Sequence, residues 1–318
     1  MIKALSHWDL DGIASIIDLW NAIKNKNNFE YKLTSYNNLE KNLNNLTKEK
    51  YQVLWVTDLN FSEEQIKNLT TKPKDSNIFY IDHHVYDYDI QDIIKDSKNI
   101  FTRINRKYCG SLNTFLFLSN LSKNKKSFWN DNKEKLVELN KLVNVYDLWQ
   151  KENPLFFDKA IPLNDLFWEY GFEKFFKKFR NGYDLDDEDI ETSENKKKER
   201  MEYLKDSYEN FSVKNEDTKS LFVLNPNKKF TNDFTLYYPD YEFYVIHKDI
   251  ENDMFNFSIR INRDNEFTIS NLIMELKNRN IEVSAGGHDK SGGMSVHKNN
   301  IDEFMDAINN IFGEYINA

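Results

Sequence analysis

The sequence predicts an α/β protein with a mainly parallel sheet flanked by helices, followed by a helical linker and a smaller second α/β domain. Three observations carry this. The stretches "IKALS", "YQVLWVTDLN" and "NIFYIDHHV" are near-continuous apolar runs, as strands of a buried parallel sheet are. Segments of helical period lie between and after them. Beyond about Ser212 the texture changes to shorter strand-like stretches and a glycine-rich segment.

In chain order, residues 2 to 6 open as a strand. "IASIIDLWNAI" then places Ile13, Ile16, Ile17, Trp20 and Ile23 at helical spacing. The second run ends in Thr57, Asp58 and Asn60, and the third in Asp82, His83 and His84. From Lys133 a helix is expected, with Leu136, Leu139, Leu142, Val143 and Tyr146 on one stripe and Asp147 near its end. Residues 155 to 180 read as further helix. The charged stretch from 184 to 200 reads as a solvated helix start or connector. The domain boundaries expected are 1–150, a helical linker over 151–212, and 213–318. In the last segment "SLFVLN", "YEFYVIH" and "MFNFSIRIN" read as strands and "TISNLIMELKNR" as a helix. "IEVSAGGHDKSGGMSVH" reads as strand, glycine loop and strand, and a final amphipathic helix starts near Asn300.

Composition narrows the function classes. The 43 basic residues against 52 acidic give a net charge of −9, the wrong sign for a protein that grips long duplex nucleic acid. Phosphates remain accessible to an acidic chain if metal ions supply positive charge locally. The one cysteine, Cys109, excludes an internal disulfide and a thiolate zinc cluster and reads as a packed small hydrophobe. No apolar stretch is long enough to span a membrane, and "MIKALSHWDL" has no signal-peptide core, so a cytoplasmic protein is expected.

The chemistry concentrates where the apolar runs stop. In open α/β sheets, functional groups gather beyond the carboxyl ends of the strands. "SHWDLDG" packs His7, Asp9 and Asp11 into five positions, on one face if the segment stays extended. Asp58 and the Asp82-His83-His84 trio join them if their strands are neighbours. A single Asp in such a place reads equally well as a helix cap. Seven ionisable groups at strand ends do not, and like charges this close call for a cation between them. Oxygen and imidazole donors without thiolate suit a hard or borderline divalent ion such as Mn²⁺, and the number of groups suggests two ions.

In order, "SHWDLDG", "VTDLN", "IDHHV" and "NVYDLW" resemble the four motifs of the DHH phosphoesterase superfamily. "SAGGHDKSGG" is similar to the glycine-rich signature of its DHHA1 accessory domain. Within the superfamily the sequence most resembles the small bacterial oligoribonucleases, which degrade very short RNA and dephosphorylate 3′-phosphoadenosine 5′-phosphate. The resemblance implies two Mn²⁺ ions, with Mg²⁺ or Co²⁺ as substitutes. His7 and Asp9 would hold one, Asp11, His83 and Asp147 the other, and Asp58 would bridge them. Asp82 would orient a ligand, and His84 would face the substrate, making these two the catalytic pair. Arg260, Gly286, Gly287 and His288 would contact substrate phosphate, with Lys290 as a further contact and Ser111, at an apparent helix start, as another. The activity implied is two-metal hydrolysis of very short RNA to mononucleotides. Hydrolysis of linear or cyclic dinucleotides and a non-catalytic nucleotide sensor of the same fold are the alternatives. Partners are then short oligonucleotides or nucleotides and a homodimer at most, with no membrane and no long duplex. A processive RecJ-type exonuclease fits less well, because a basic channel would be expected.

Overall fold

A computed structural model of the chain describes all residues except 49, 72–74, 87, 123–131, 225–229, 263–264 and 318; at 286–288 the backbone alone is described. The chain divides into two units, Met1–Lys196 and Lys197–Ala318.

In the first unit strands and helices alternate: β1 (Ile2–His7), α1 (Leu10–Ala22), β2 (Phe29–Thr34), α2 (Leu39–Thr47), β3 (Val53–Thr57), α3 (Glu63–Thr70), β4 (Asn77–Asp82), α4 (Ile90–Ile94), β5 (Ile100–Ile104) and α5 (Gly110–Ser122). Two longer helices follow, α6 (Lys133–Asp147) and α7 (Ile161–Phe179). The five strands form one sheet in the order β2-β1-β3-β4-β5, with every neighbouring pair parallel. The central strands are apolar on both faces because both are covered. One face packs Ala4 and Ile81 against Ile13, Ile17, Leu139 and Phe167 of α1, α6 and α7. The other packs Leu5, Leu54, Val56 and Ile78 against Leu43, Ile66 and Ile90 of α2, α3 and α4.

The edge strands β2 and β5 go beyond the sequence reading. In β2, exposed Glu30 and Lys32 alternate with partly buried Phe29, Tyr31 and Leu33, so the strand lacks a continuous apolar run. Gly171 interrupts α7 with φ 66°, a left-handed backbone that glycine adopts without a Cβ penalty. The charged stretch after 184 becomes α8 (Asp187–Asn210), within which the unit boundary falls. Its first turn carries Asp187, Glu188 and Asp189, favourable at the positive end of a helix.

The second unit contains β6 (Ser212–Asn215), β7 (Ser220–Val223), α9 (Phe234–Tyr237), β8 (Phe243–Glu251), β9 (Met254–Ile261), α10 (Ile269–Asn278), β10 (Ser284–His288), β11 (Ser291–His297) and α11 (Ile301–Ile316). Its sheet runs β10-β11-β9-β8-β7-β6 and is antiparallel except for the parallel β7/β8 pair. Phe257, Ile259 and Met294 of the sheet bury against Leu272 and Leu276 of α10 and Phe304, Ile308 and Phe312 of α11.

The expected glycine loop is corrected here. Gly286 pairs with Gly293 and Gly287 with Gly292, across β10 and β11, and the turn itself is Asp289-Lys290. The turn is fixed from outside: the Asp289 carbonyl accepts from Ile269 N–H at 2.8 Å and the Lys290 carbonyl from Ile261 N–H at 2.9 Å. The glycines therefore pave a hairpin surface without side chains instead of bending the chain.

Candidate metal centre

The strand order reverses about β1, which has β2 on one side and β3 on the other, and such switch points open a crevice at the carboxyl ends. His7 ends β1, Asp58 directly follows β3, and Asp82 ends β4. Parallel register brings these ends side by side, with Ser6 opposite Thr57 and Thr57 opposite Ile81.

"SHWDLDG" does not stay extended. His7 closes the strand, Asp9 is the N-cap of α1, and Asp11 lies in the first helical turn. Asp9 Oδ1 accepts from Gly12 N–H at 2.9 Å, while Oδ2 lies 2.7 Å from His7 Nδ1. The reversal needs Gly12, since a Cβ there would sit 1.9 Å from the His7 carbonyl oxygen. The strand end and the cap bring His7 and Asp9 together with Asp58, while the first helical turn directs Asp11 toward His83 and Asp147.

Asp11 is held from α5. The amides of Gly110 and Ser111 donate to its two oxygens at 2.6 and 2.7 Å. The helix N-terminus read from sequence as an anion site thus receives an internal carboxylate. The Ser111 hydroxyl is buried, 3.3 Å from Cys109 Sγ, and Cys109 itself is fully buried in the core. Gly110 is needed for this approach: a Cβ there would lie 2.7 Å from Asp58 Cβ and 3.0 Å from Asp11 Oδ2. Asp58 sits in the left-handed region at φ 54°, a conformation that Asp tolerates better than most residues.

Three groups of donor atoms, each mutually within 4.8 Å, result: His7, Asp9 and Asp58; Asp11, His83 and Asp147; and Asp58, Asp82, His83 and His84. His83 Nε2 lies 3.2 Å from Asp58, 3.7 Å from Asp147 and 3.8 Å from Asp11. Among the described residues it is the only ion-pair partner of all three. Burial, then the Asp11 charge, pushes the Asp58 and Asp147 carboxyls well above the usual carboxylate range. For His83, burial works downward but the surrounding carboxylates, Asp147 and Asp11 first, outweigh it and raise the imidazole. His7 behaves alike, raised through its bond to Asp9 against the effect of burial.

The decisive detail is what these carboxylates lack. Asp58 Oδ2 and Asp147 Oδ2 are buried without a hydrogen-bond partner. Buried polar atoms are normally paired, and an orphaned one costs about 1–3 kcal/mol. Two such oxygens, within imidazole- and carboxylate-only groups, fit divalent cations as missing partners.

Asp82 and His84 form a separate pair. Asp82 Oδ1 lies 2.8 Å from His84 Nδ1, and its Oδ2 accepts from Tyr86 OH. Burial would raise Asp82, but its bond to His84 and the histidine charges prevail and lower it. As a carboxylate it makes Nδ1 the donor and sets Nε2 on the far side of the ring. Tyr86 was not foreseen, since no spacing pattern marks a hydroxyl four residues on; its OH is 2.6 Å from Tyr80 OH, which donates to the Leu59 carbonyl at 2.6 Å.

In the second unit, Arg260 donates to Asn232 Oδ1 from Nε and Nη2 at 2.8 and 2.6 Å and to the Ile259 carbonyl at 2.8 Å. Lys290 Nζ donates to the carbonyls of Phe267, at 2.7 Å, and of Asn265. Gly286, Gly287 and His288 end β10; the His288 side chain falls outside the described residues.

Compared with solved structures, the chain matches the pGpG-specific phosphodiesterase PggH of Vibrio cholerae with a TM-score of 0.58, 13% identity, and coverage of 99% of this chain and 100% of that one. It matches the DHH domain of a member of the S1p family of ribosomal proteins at 0.68, 12% identity, 99% and 87%. It matches RecJ of Thermus thermophilus in complex with Mn²⁺ at 0.60, 11% identity, 99% and 52%, and that protein has also been solved with Mg²⁺. No family model and no curated protein matches the sequence. The fold is that of DHH-domain proteins.

Proposed function

We propose that the chain is a divalent-metal-dependent phosphodiesterase of the DHH type that hydrolyses very short RNA oligonucleotides to mononucleotides. The observation that carries this reading is the pair of buried oxygens on Asp58 and Asp147 that accept no hydrogen bond, inside two donor groups. In this reading His7 and Asp9 would hold one ion and Asp11, His83 and Asp147 the other, with Asp58 available to both; the mixed imidazole and carboxylate set suits a hard or borderline divalent ion such as Mn²⁺. Two such ions supply a water of lowered pKa and charge compensation for the entering and leaving oxygens of an in-line displacement.

The chain's own groups do the rest. The Gly110 and Ser111 amides fix the orientation of Asp11, a role in which Ser111 acts through the carboxylate and not by touching substrate. Asp82 locks the His84 ring, and His84 is the side chain assigned to the phosphate or the leaving oxygen. Arg260, whose guanidinium fork suits a phosphate, and the side-chain-free Gly286-Gly287 surface beside His288 are the proposed substrate contacts of the second unit. Lys290, engaged with two carbonyls, holds the hairpin in place.

Specificity for linear dinucleotides is the second reading. It is favoured by the likeness to PggH, a pGpG-specific phosphodiesterase, over the whole of that chain. The test is hydrolysis of 5′-labelled RNA from two to five nucleotides, beside pGpG, a cyclic dinucleotide and 3′-phosphoadenosine 5′-phosphate, with Mn²⁺ and an Asp58→Ala control. Cleavage across the length series, lost in the variant, is expected. Cleavage of dimers alone selects the second reading, and no turnover with Mn²⁺ bound rejects both.

A further inference from the structure

Two tryptophans, one of them between His7 and Asp9 in the chain, stand exposed and in contact with each other. Trp8 lies between His7 and Asp9, its Cα about 3.8 Å from each of theirs, and is 45% exposed. Trp168, on α7, is 55% exposed, and the two rings meet edge to face at 6.3 Å and 89°. Tyr36 is 46% exposed, with its ring 5.1 Å from the His7 imidazole. Scattered apolar residues on a surface need no explanation, but two exposed tryptophan rings in contact, one of them on the stretch that carries His7 and Asp9, do.

We propose that Trp8 and Trp168 form a base-stacking subsite that holds the nucleobase of the nucleotide whose phosphate lies at the metal centre. The inference rests on the phosphodiesterase reading for the nature of its ligand. The perpendicular rings present one flat face for a base to stack on and a second ring against its edge. Trp8 carries that face on the same turn of chain as His7 and Asp9, so base and phosphate are gripped by one short segment. Every base has a π-face, so the subsite favours nucleotides over other phosphoesters while tolerating any sequence. Stacking also suits a short substrate: with few phosphates to hold, affinity must come from bases.

The experiment compares binding of adenosine monophosphate and ribose 5-phosphate to the full-length Mn²⁺-loaded protein by calorimetry, in wild type, Trp8→Ala, Trp168→Ala and Trp168→Phe. The wild type should prefer the nucleotide by roughly tenfold or more, the scale of base–aromatic stacking. Both alanine variants should lose most of that preference with ribose 5-phosphate binding unchanged, and Trp168→Phe should keep most of it. Equal affinity of the wild type for the two ligands overturns the proposal. So does an alanine variant that weakens both ligands alike, or neither. Should Trp8→Ala fail to fold, Trp168→Ala decides, since Trp168 is remote in sequence from the ligand stretch. A wild type that shows the base preference yet hydrolyses no oligonucleotide sinks the phosphodiesterase reading and leaves the subsite standing.

Discussion

Around the glycine hairpin of the second unit, the protein itself answers the charged groups. Arg260 has Asn232 and a backbone carbonyl, and Lys290 has two carbonyls. At the strand ends of the first unit the reverse holds: Asp11, Asp58 and Asp147 share one imidazole, and two of their buried oxygens have no donor. A satisfied cation needs no ligand to be stable, so a ligand arriving there competes with existing bonds. An unsatisfied carboxylate cluster is strained until a cation arrives, so the ligand completes the fold. The difference separates a region that would recognise a substrate from one that would be built around metal.

Removing one carboxylate from the cluster should break this contrast with the largest effect. Asp58→Asn is the informative change, because Asn adopts the left-handed backbone of this position and the substitution isolates the charge. Hydrolysis should fall by more than the ~100-fold typical of losing an outer partner of a metal ligand. Stability should move the other way: without metal the variant should melt higher than wild type, whose buried Asp58 is held well above its ordinary pKa by burial and by Asp11. At a hundred times the dissociation constant, Mn²⁺ should raise the wild-type melting temperature by roughly 5–10 °C, and the variant's far less. Equal Mn²⁺ stabilisation of both proteins would show that cations bind elsewhere.

A smaller effect is expected from Arg260→Ala. The side chain of Arg260 is already engaged, so a substrate gains only the difference between phosphate and Asn232 as partner. KM should rise about tenfold, within the range of a hydrogen bond to a charged group, with kcat unchanged. Steady-state kinetics on a dinucleotide would show it. A fall in kcat at constant KM would place Arg260 in the chemistry and erase the distinction between the units.

The same contrast explains what could be read from the sequence. Strands β1, β3 and β4 announce themselves because both faces are buried, and the Asp and His at their ends stand out against an apolar run. The edge strands β2, β5 and β6 did not, as half of each faces polar surroundings. The sequence places His7, Asp9 and Asp11 on one extended face; in the structure they stand on a strand end, a helix cap and a first helical turn, and Asp11 belongs to a different donor group from the other two. The tie between Asp11 and the Gly110 amide joins positions 99 residues apart, and no local pattern encodes it. The bond from Tyr86 to Asp82 escaped for a like reason, its donor being a hydroxyl that only the fold supplies.

Asp18 provides the finest test, because it is a buried carboxyl of the first unit that no cation is proposed to serve. It lies on α1 two turns beyond Asp11 and is fully buried. Asn140 Nδ2 donates to its Oδ1 at 2.9 Å, while its Oδ2 and Asn140 Oδ1 have no partner. Both acceptors would be satisfied together by a proton on Oδ2 donated to Asn140 Oδ1, which would make the pair neutral. Burial accordingly pushes the Asp18 carboxyl well above the usual range. The sign follows from proton counting. Between the ordinary carboxylate pKa and the raised one, the folded chain holds a proton that the unfolded chain releases, so stability falls as pH rises through that window. Asp18→Asn cannot release a proton, so its stability relative to wild type should grow as pH rises above the ordinary carboxylate pKa, by up to about 1.4 kcal/mol per pH unit until the raised pKa is reached. Denaturant melts at pH 5, 6 and 7 without metal would show this slope. A gap that stays constant with pH would mean that Asp18 is ionised in the core, and that unanswered charge is not confined to the metal centre.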